Sequence, residues 1–421
     1  MADERQASES GGASPQPRHG KAERGPSRPI LSLNSGSSSV KFGLYDVLAS
    51  RTETLLSGEV ERSTDGTGLF RGHERLGQEK TVAEQMPIAG NRYVMLRIRK
   101  FLVDSNRPVP IAVGHRIVHG GPKLRQHCLI DAAVIQQLES ATIFAPLHMP
   151  PALGLIRCAR DLFSDVPQVA CFDTAFHAGL PDIARVLPIA KDLQAEGIQR
   201  YGFHGLSCES ILHQLSTEVP KRLIIAHLGN GASVTAVESG RSIDTSMGLT
   251  PTGGIVMGTR SGDLDPGVLV YLMREKAFDA ARIEDLVNHR SGLLGVSGLA
   301  SDMRTLHDAA STNPTADLAI RMFCYSVRKQ IAAMIGALEG IDLIVFTGGI
   351  WENDAAVRAA ICRGLAWAGV GLDAAQNRSM TLPVIEPQGL CSVQVLPSLE
   401  DEQIAVHTWA LLVRTGENGM S

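Results

Sequence analysis

A polar turn, Asn34-Ser35-Gly36-Ser37-Ser38-Ser39, joins two apolar segments near the start of the sequence. Its small side chains allow backbone N–H groups and hydroxyls to converge on one point. That arrangement suits an anion with many acceptor oxygens, and phosphate is the commonest one. The spacing of a Walker phosphate loop is absent. The turn predicts a phosphate site, with a Ser/Gly hairpin that binds no ligand as the alternative.

The same layout returns in the second half of the chain. An apolar strand over 222–226 leads into the turn His227-Leu228-Gly229-Asn230-Gly231-Ala232-Ser233, and another apolar strand follows it. Two such hairpins, one in each half, predict two similar domains whose loops face each other across a cleft. Facing loops could hold the phosphates of one nucleotide from both sides, which favours phosphate binding.

Candidate catalytic side chains stand where predicted strands end. Arg116 follows a buried strand over 109–114, and Asp173 follows another over 169–172. Because α/β folds bind ligands at the carboxyl ends of their strands, both are candidates for ligand contacts, Asp173 for orienting a metal or a nucleophile. His204 lies between two glycines, where its imidazole could reach into a cleft. A surface arginine and a structural histidine are the alternatives.

Glycine-rich turns supply further candidates. The turns over 244–251 and 257–266 combine hydroxyls, Arg260 and carboxylates, which are poor core material and typical of functional sites. A buried strand over 343–346 leads into Thr347-Gly348-Gly349. A close-approach Gly-Gly turn that starts a helix suits a nucleotide base or ribose.

These residues need strands and helices to position them. Hydrophobic spacing predicts strands over 29–33 and 40–45 and a final helix over 403–413. The polar, glycine-rich stretch from 63 to 85 is predicted to be irregular. A helix over 93–103 is expected to turn Met95, Leu96, Ile98 and Leu102 towards a core. The longest predicted helix, over 315–338, has its expected core positions at Leu318, Met322, Phe323, Val327, Ile331 and Ile335.

Composition narrows the class of protein. The 421 residues, 44% of them hydrophobic, are enough for two domains with sizeable cores. The net charge of −4 argues against nucleic acid as a partner, and no apolar run is long enough to span a membrane. Seven scattered cysteines argue for a reducing, cytoplasmic setting. The polar residues 1–28 are expected to form a disordered tail.

A series of ordered motifs resembles the acetate kinase family. They run from Asn-x-Gly-Ser-Ser-Ser-x-Lys through Gly-His-Arg-x-Val-His-Gly-Gly, Phe-Asp-Thr-Ala-Phe-His and Tyr-Gly-Phe-His-Gly to Phe-Thr-Gly-Gly-Ile-x-Glu-Asn. The resemblance implies an α/β fold of two duplicated actin-like (ribonuclease H-like) domains with a nucleotide cleft between them, and a homodimer. We expect residues 29–175, with a C-terminal helix over 401–421, to form the N-terminal domain, and residues 176–400 to form the nucleotide-binding domain.

The reaction implied by the resemblance is the reversible, in-line transfer of the ATP γ-phosphoryl group to acetate, giving acetyl phosphate and ADP. It depends on Mg²⁺, which Mn²⁺ could replace. The same resemblance gives each matching residue a role. Arg116 and Arg260 would bracket the phosphoryl group, His204 would donate a hydrogen bond to it, and Asp173 would be the catalytic carboxylate. Asn34 and Glu400 would act at the metal.

The remaining matches concern the two substrates. Arg116 would also bind acetate, whose methyl group would lie in a pocket formed by Val118, Leu147, Phe203 and Pro251. The residues matched to nucleotide binding are Ser37, Ser39, Lys41, His227, Leu228, Gly229, Asn230, Gly231, Asp302, Met303, Arg304, Gly349, Ile350, Trp351, Glu352 and Asn353.

Phosphoryl transfer is catalysed largely by positioning and by charge stabilisation. Acetate is already ionised at neutral pH, so no strong general base is required, and Asp173 is expected mainly to orient Mg²⁺ and its waters. Several positions depart from the family pattern, namely Met149, Cys208, Trp351 and Leu399. None of them is a residue assigned to the chemistry.

Two other functions remain as alternatives. A propionate or butyrate kinase would differ only in the size of the acid pocket, and Val118 favours acetate because it is not a smaller residue. A non-catalytic nucleotide switch of the Hsp70 or actin type would have no use for Arg116, His204 and Arg260.

Overall fold

The computed structural model describes residues 28–36, 39–48, 51–63, 66–75, 80–88, 90–349, 354–379, 384–385 and 391–416. The predicted tail up to residue 27 and the candidate nucleotide contacts Ser37 and Ile350–Asn353 lie outside these ranges. Arg28, the last residue of the predicted tail, belongs to the described fold, with its guanidinium 4.5 Å from the ring centre of Trp409.

The first half of the chain builds an eight-stranded sheet, in the order β5-β4-β3-β2-β1-β6-β8-β7. Apolar residues run through its central strands, which are buried, and β1 is buried along its whole length. The strands are β1 (Pro29–Ser35), β2 (Ser39–Val47), β3 (Thr52–Arg62), β4 (Thr67–Glu74), β5 (Lys80–Pro87), β6 (Ala112–Ile117), β7 (Cys128–Leu129) and β8 (Gln168–Phe172).

The second half builds a six-stranded sheet, in the order β11-β10-β9-β12-β14-β13. Its central strands are likewise continuous apolar runs, as expected for strands covered on both faces. The strands are β9 (Arg222–Leu228), β10 (Ala232–Glu238), β11 (Arg241–Thr245), β12 (Leu343–Thr347), β13 (Val384–Ile385) and β14 (Ser392–Val395).

The two sheets share one topology. In each, three antiparallel strands come first (β1, β2 and β3, or β9, β10 and β11). Two further strands then lie parallel to the first, β6 and β8 or β12 and β14. The duplication predicted from the repeated hairpins is confirmed. Corresponding turns therefore stand at corresponding edges of the two sheets.

Helices cover both sheets. α1 packs on α3, which lies against β1 and β6, and α11 lies against β9, β10 and β11. α6 touches one strand of each sheet, β8 and β9, and also packs on α14. The helices are α1 (Asn91–Asp104), α2 (Ala132–Ser140), α3 (Met149–Leu162), α4 (Asp182–Arg185), α5 (Lys191–Ala195), α6 (Gly205–Leu215), α7 (Pro266–Glu275), α8 (Ala280–His289), α9 (Gly292–Ser297), α10 (Met303–Ala310), α11 (Pro314–Ala337), α12 (Ala355–Arg363), α13 (Ala374–Ser379) and α14 (Glu400–Thr415).

The last helix returns to the first sheet, where α14 packs on β1, β2 and β6. Gly114 of β6 makes this approach possible, because a Cβ there would lie 2.3 Å from Thr408 Oγ1 of the helix. The contact places the first turn of α14, with Glu400 and Asp401, beside the first hairpin turn.

Three predictions about elements are wrong. The stretch from 63 to 85 is not irregular, because β4 and most of β5 fall within it. Its inward positions include Gly68 and Gly72, so the usual apolar alternation is hidden. At Gly72 a Cβ would lie 2.7 Å from the ring of Phe101, which fills the space instead. α14 begins at Glu400 rather than 403, as three acidic residues in a first turn favour.

The third correction concerns burial. Leu96, Leu318 and Met322, expected in the core, are exposed by 42%, 40% and 39%. The other predicted core positions of α11, namely Phe323, Val327, Ile331 and Ile335, are buried. Within the described ranges, no helix is both long and apolar enough to cross a membrane.

Candidate active site

A cavity of about 710 Å³ opens between the two sheets, and both hairpin turns line it. Most of the site residues predicted from the sequence meet there, although they are spread over the whole chain. Those on its wall are Asn34, Lys41, Arg116, Val118, Leu147, Asp173, Phe203, His204, His227, Gly229, Asn230, Gly231, Pro251, Arg260, Gly349 and Glu400.

Arg116 and Asp173 form the centre of the cavity. They stand at the carboxyl ends of β6 and β8, which pair in parallel, so both reach the same edge of the sheet. Arg116 Nε lies 3.0 Å from Asp173 Oδ1, and Nη2 lies 2.7 Å from Oδ2, a two-point contact. Burial lowers the pKa of Arg116, but the carboxylates of Asp173 and Glu400 outweigh burial and raise it. Burial raises the pKa of Asp173, with Arg116 opposing.

Asn34 connects this pair to the last helix. Its Oδ1 accepts from Arg116 Nη1 at 3.0 Å, and its Nδ2 donates to Asp401 Oδ1 at 2.9 Å and to Glu400 Oε2 at 3.4 Å. Glu400 Oε2 also lies 3.8 Å from Arg116 Nη1. Burial raises the pKa of Glu400, but Arg116 and other cationic neighbours outweigh burial and lower it. Burial raises the pKa of Asp401.

This corner of the cavity fits a hard divalent cation. Asp173 is buried and Glu400 and Asp401 are partly buried, and the Arg116 guanidinium contacts Asp173 and Glu400. Lys41 lines the same cavity, so three carboxylates meet two cations there, and carboxylate oxygens are ligands that Mg²⁺ prefers. Asn34 and Glu400, predicted to act at the metal, belong to this corner together with Asp401.

His204 faces the cavity from the start of α6. Its backbone is left-handed, with φ of 59°, a strained conformation for a side chain of this size that is found mostly at functional sites. Nδ1 lies 3.0 Å from the Ser233 hydroxyl, and the ring stacks on His227 with centroids 4.2 Å apart. Burial and the neighbouring cations hold the pKa of His204 well below its usual value, so the ring is neutral. If the Ser233 hydroxyl donates to Nδ1, the ring proton lies on Nε2.

His227 is held by a chain of hydroxyls. Ser398 Oγ donates to Ser207 Oγ at 3.0 Å, and Ser207 Oγ lies 2.8 Å from His227 Nδ1. Because the Ser207 hydroxyl accepts a hydrogen bond from Ser398, it can donate its own proton in a hydrogen bond to Nδ1 of His227. The ring proton of His227 then lies on Nε2. Burial lowers the pKa of His227, although Glu400 opposes it.

Arg260 enters the cavity from the second half of the chain. Its Nη2 lies 3.2 Å from His148 Nε2, and Nη1 lies 3.3 Å from the Pro251 carbonyl oxygen. An arginine can only donate, so His148 accepts at Nε2 and is neutral. Burial and Arg260 lower the pKa of His148 to about 4. Burial and Arg116 lower the pKa of Arg260.

Gly231 brings the second turn against these groups. A Cβ at this position would lie 3.2 Å from His204 Nε2 and 3.3 Å from Arg260 Nη1. Both side chains therefore lie close to the turn, and a side chain at position 231 would require each of them to shift by a few tenths of an ångström.

Four apolar residues, Val118, Leu147, Phe203 and Pro251, line the same cavity as the two arginines, and we call them the apolar recess. Val118 and Phe203 are buried, with exposed fractions of 7% and 1%, and Pro251 is buried as well. Leu147 is 38% exposed and stands at the rim. The four residues predicted to surround the acetate methyl group all line the cavity.

Five of the predicted nucleotide residues are described but do not line the cavity. The Asp302 carboxylate caps α10 by accepting from Thr305 N at 2.8 Å, and Met303 is buried. The preceding residue, Ser301, does border the second turn, since a Cβ at Gly258 would lie 3.0 Å from both Ser301 O and Asn230 Oδ1. The other three predicted nucleotide residues that do not line the cavity are Ser39, Leu228 and Arg304.

Sequence reasoning missed several participants. Asp401 directly follows Glu400 and His148 directly follows Leu147, both of which were predicted site residues, so local signals existed for both. Ser207, Ser233 and Ser398 carry no local signal, because their part is to hold histidines that lie far away in sequence.

Comparison with known proteins gives one consistent result. The model of the acetokinase family matches residues 29–406. Acetate kinase of Heliobacterium modesticaldum is 38% identical to the chain, and the alignment covers 91% of the chain and 99% of the relative. Acetate kinase of Nitrobacter hamburgensis is 40% identical, and the alignment covers 91% of the chain and 96% of the relative.

Solved structures agree. A propionate kinase from Francisella tularensis has a TM-score of 0.83 at 35% identity, with 90% of this chain and 98% of that one covered. Acetate kinase from Porphyromonas gingivalis has a TM-score of 0.81 at 35% identity, with 91% of this chain and 100% of that one covered.

A duplicated actin-like fold with arginines, neutral histidines and carboxylates converging on the cleft between its halves defines a kinase, a phosphotransferase. Within that class the chain belongs to the acetokinase family.

Proposed function

We propose that the protein is an acetate kinase, which transfers the γ-phosphoryl group of ATP to acetate and gives acetyl phosphate and ADP. The carrying observation is the cavity between the sheets, which is lined by two arginines from different halves of the chain, Arg116 and Arg260, and by the apolar recess. Cations suit a carboxylate and a phosphoryl group, and the recess suits a short alkyl group.

Arg116 and Arg260 act on the transferring group. The oxygens of a phosphoryl group carry the charge of the transition state, and donors already in place stabilise that charge best. Asp173 fixes Arg116, and His148 accepts from Arg260, so both guanidiniums are oriented before substrate arrives. His204, neutral and protonated on Nε2, adds a hydrogen bond to the phosphoryl group.

Asp173 acts as a positioning carboxylate. Acetate is ionised at neutral pH and needs no base to remove a proton. Both carboxylate oxygens of Asp173 accept from Arg116, which supports a role in orienting that arginine beside the predicted role towards Mg²⁺.

Asn34 and Glu400, with Asp401 beside them, would hold Mg²⁺. When bound there, the ion neutralises charge on the phosphate oxygens. The hydrogen bonds from Asn34 fix the directions in which the two carboxylates face the cavity. Their position on the first turn of α14 links metal binding to the contact between this helix and the first sheet.

ATP would bind across the cleft, with its phosphates between the two hairpin turns. Lys41 and the run from His227 to Gly231 are the proposed phosphate contacts, and the adenosine lies towards Asp302 and Gly349. The fit of Ser301 against the second turn supports this direction.

A homodimer is part of the proposal. No residue of α7 is buried, and four of its large apolar residues are 43% to 55% exposed, namely Val268, Val270, Tyr271 and Met273. Several exposed apolar residues on one short helix are typical of an interface between proteins. A second copy of the chain is the proposed partner.

The proposal also includes the domain boundaries and the cellular location of the protein. Residues 29–175 with the helix from 401 form one domain, and residues 176–400 form the other, as the return of α14 to the first sheet supports. We place the enzyme in the cytoplasm, where ATP is available and its seven cysteines, all free in the structure, would stay reduced.

Propionate is the second candidate substrate, because a solved relative is described as a propionate kinase. One methylene changes affinity in an apolar pocket by only about 1–3 kcal/mol. The curated relatives reported above carry the name acetate kinase, which favours acetate.

The test is trapping of acyl phosphate with hydroxylamine in the presence of ATP and Mg²⁺, with acetate, propionate and butyrate compared. We expect the highest kcat/KM with acetate. Higher values for the longer acids would keep the reaction and change the substrate. ATP binding without acyl phosphate from any acid would refute the kinase function and favour a nucleotide switch.

A further inference from the structure

His119 lies directly behind the apolar recess and is fully buried. Three aromatic rings surround its imidazole. The ring of Phe144 stacks on it at 5.1 Å, that of Tyr201 lies at 4.4 Å, and that of Phe203 lies edge-on at 5.5 Å, measured between ring centroids. The side chain does not line the cavity itself.

The hydrogen bonds of His119 define its tautomer. The backbone N–H of Gly121 donates to Nδ1 at 2.8 Å, so Nδ1 carries no proton. The proton therefore lies on Nε2, which is 3.3 Å from the carbonyl oxygen of Leu249 and donates to it. Burial lowers the pKa of His119 to about 4, and the ring stays neutral at neutral pH.

Each residue of the recess contacts His119 or lies within three residues of one that does, or precedes it in the chain. Val118 precedes His119 in the chain, and Phe203 packs on its ring. Pro251 comes two residues after Leu249, and Leu147 three residues after Phe144. The bond to Leu249 also crosses between the two halves of the molecule, because His119 follows β6 and Leu249 follows β11.

The loop of Leu249 has a second attachment. The backbone N–H groups of Tyr201 and Gly202 both donate to Gly248 O, at 3.0 and 3.4 Å. A change at His119 would therefore alter the position of the Pro251 wall without detaching the loop.

We propose that His119 is a specificity-positioning residue, which sets the width of the acid pocket by tying the loop of Pro251 to the strand end of Val118. This inference rests on the proposed carboxylate kinase activity. It predicts that the hydrogen bond from Nε2 to Leu249, rather than the volume of the ring, excludes acids longer than acetate.

The variants separate these contributions. His119→Asn keeps an acceptor for Gly121 but cannot reach Leu249. His119→Gln extends a donor about as far as Nε2. We expect the ratio of kcat/KM for propionate over acetate to rise about tenfold in His119→Asn, the range that one methylene allows. The ratio should stay within about threefold of wild type in His119→Gln.

A split of the kinetic constants distinguishes positioning from general damage. In His119→Asn, KM for acetate should rise while KM for ATP and kcat at saturating acetate change little. His115→Asn is the matched control, since His115 is also buried and neutral but contacts Gln168 and not the recess. It should lower the melting temperature without changing the acid preference.

If His119→Asn does not fold, His119→Phe serves instead, because it keeps a ring and loses both hydrogen bonds, and we expect the same rise in the ratio of kcat/KM for propionate over acetate. An unchanged ratio in folded His119→Asn or folded His119→Phe would overturn the proposal. Nitrogen-15 NMR of wild-type His119 gives a test without substitution, and a proton on Nδ1 would contradict the bond to Leu249. A wild type that makes no acyl phosphate would refute the kinase function instead, whatever tautomer NMR finds.

Discussion

The guanidinium of Arg116 meets the Asp173 carboxylate edge to edge, with Nε 3.0 Å from Oδ1 and Nη2 2.7 Å from Oδ2. Both residues are largely buried, with side chains 16% and 2% exposed. This contact uses the planar fork of arginine, which lysine cannot reproduce. Nη1, the remaining nitrogen, is directed to Asn34 and the metal corner.

Replacing Arg116 by lysine keeps the charge and removes the fork. We expect kcat/KM for acetate to fall at least about 100-fold, as for the loss of a preorganised donor to a developing charge. Steady-state acyl phosphate formation measures this. Arg71→Lys, at a half-exposed surface ion pair with Glu61, should leave the value unchanged. A loss of only a few-fold in Arg116→Lys would remove Arg116 from the mechanism.

Ser233 fixes the tautomer of His204 through the contact at 3.0 Å. Ser233→Ala should lower kcat about twofold, because His204 then shares its proton between two nitrogens and carries it on Nε2 for only part of the time. KM for ATP should stay the same. Ser233→Thr keeps the hydroxyl and should recover most of the rate. Equal rates for the alanine variant and wild type would show that the tautomer does not matter.

We propose that Asp401 contributes to the Mg²⁺ site together with Glu400. Asp401→Asn removes one charge, so the Mg²⁺ concentration for half-maximal activity should rise about tenfold at fixed ATP. A titration of activity against Mg²⁺ gives this number. Glu402→Gln, on the same helical turn but away from the cavity wall, is the control. Unchanged Mg²⁺ dependence in Asp401→Asn would exclude Asp401 from the metal site.

Glu209 of α6 holds α14 and the segment before β7 together. Its Oε2 lies 3.0 Å from His407 Nε2 and 3.6 Å from His127 Nε2. Burial raises the pKa of Glu209, but the neighbouring His127 and His407 outweigh burial and lower it to about 2. A carboxyl group with a lowered folded pKa stabilises the fold above its unfolded pKa of about 4.3. That stability is lost as pH falls towards 2.

Glu209→Gln should therefore reduce the free energy of unfolding at pH 7 by up to roughly 3 kcal/mol. The difference from wild type should shrink below about pH 4.3. Urea unfolding at pH 7, 5 and 4 measures it, with the exposed Glu218→Gln as the control. A difference that is constant down to pH 4 would contradict the ionised form of Glu209.

The exposed apolar residues of α7 test the proposed oligomeric state. Tyr271→Glu should convert the proposed dimer to a monomer, because burying a charge without a partner costs several kcal/mol. Sedimentation velocity measures the mass. Ile183→Glu, on α4 at a position 95% exposed, should leave the dimer intact. A wild type that is monomeric at micromolar concentration would contradict the proposed interface.

Much of the site could be predicted because its residues lie near the ends of strands. Asn34, His227 and Arg116 lie near the carboxyl ends of β1, β9 and β6, whose apolar residues can be recognised in the sequence, and Asp173 directly follows β8. Parallel pairing of β6 and β8 then brings the last two together, as strand order in α/β folds requires.

Contacts between distant residues could not be predicted in this way. The bond from Asn34 to Asp401 joins the two ends of the fold, and nothing near either residue specifies the other. Periodicity on α11 was equally ambiguous. Leu318 and Met322 repeat at helical spacing like the core residues, yet they are exposed, because spacing cannot separate a core from an outer apolar face.

Phosphorus-31 NMR of the protein with ATP, Mg²⁺ and acetate tests whether the phosphoryl group is transferred to acetate. We expect acetyl phosphate and ADP to appear in equal amounts, with no reaction when acetate is left out. ADP with inorganic phosphate from the first time points, formed at the same rate without acetate, would contradict this transfer.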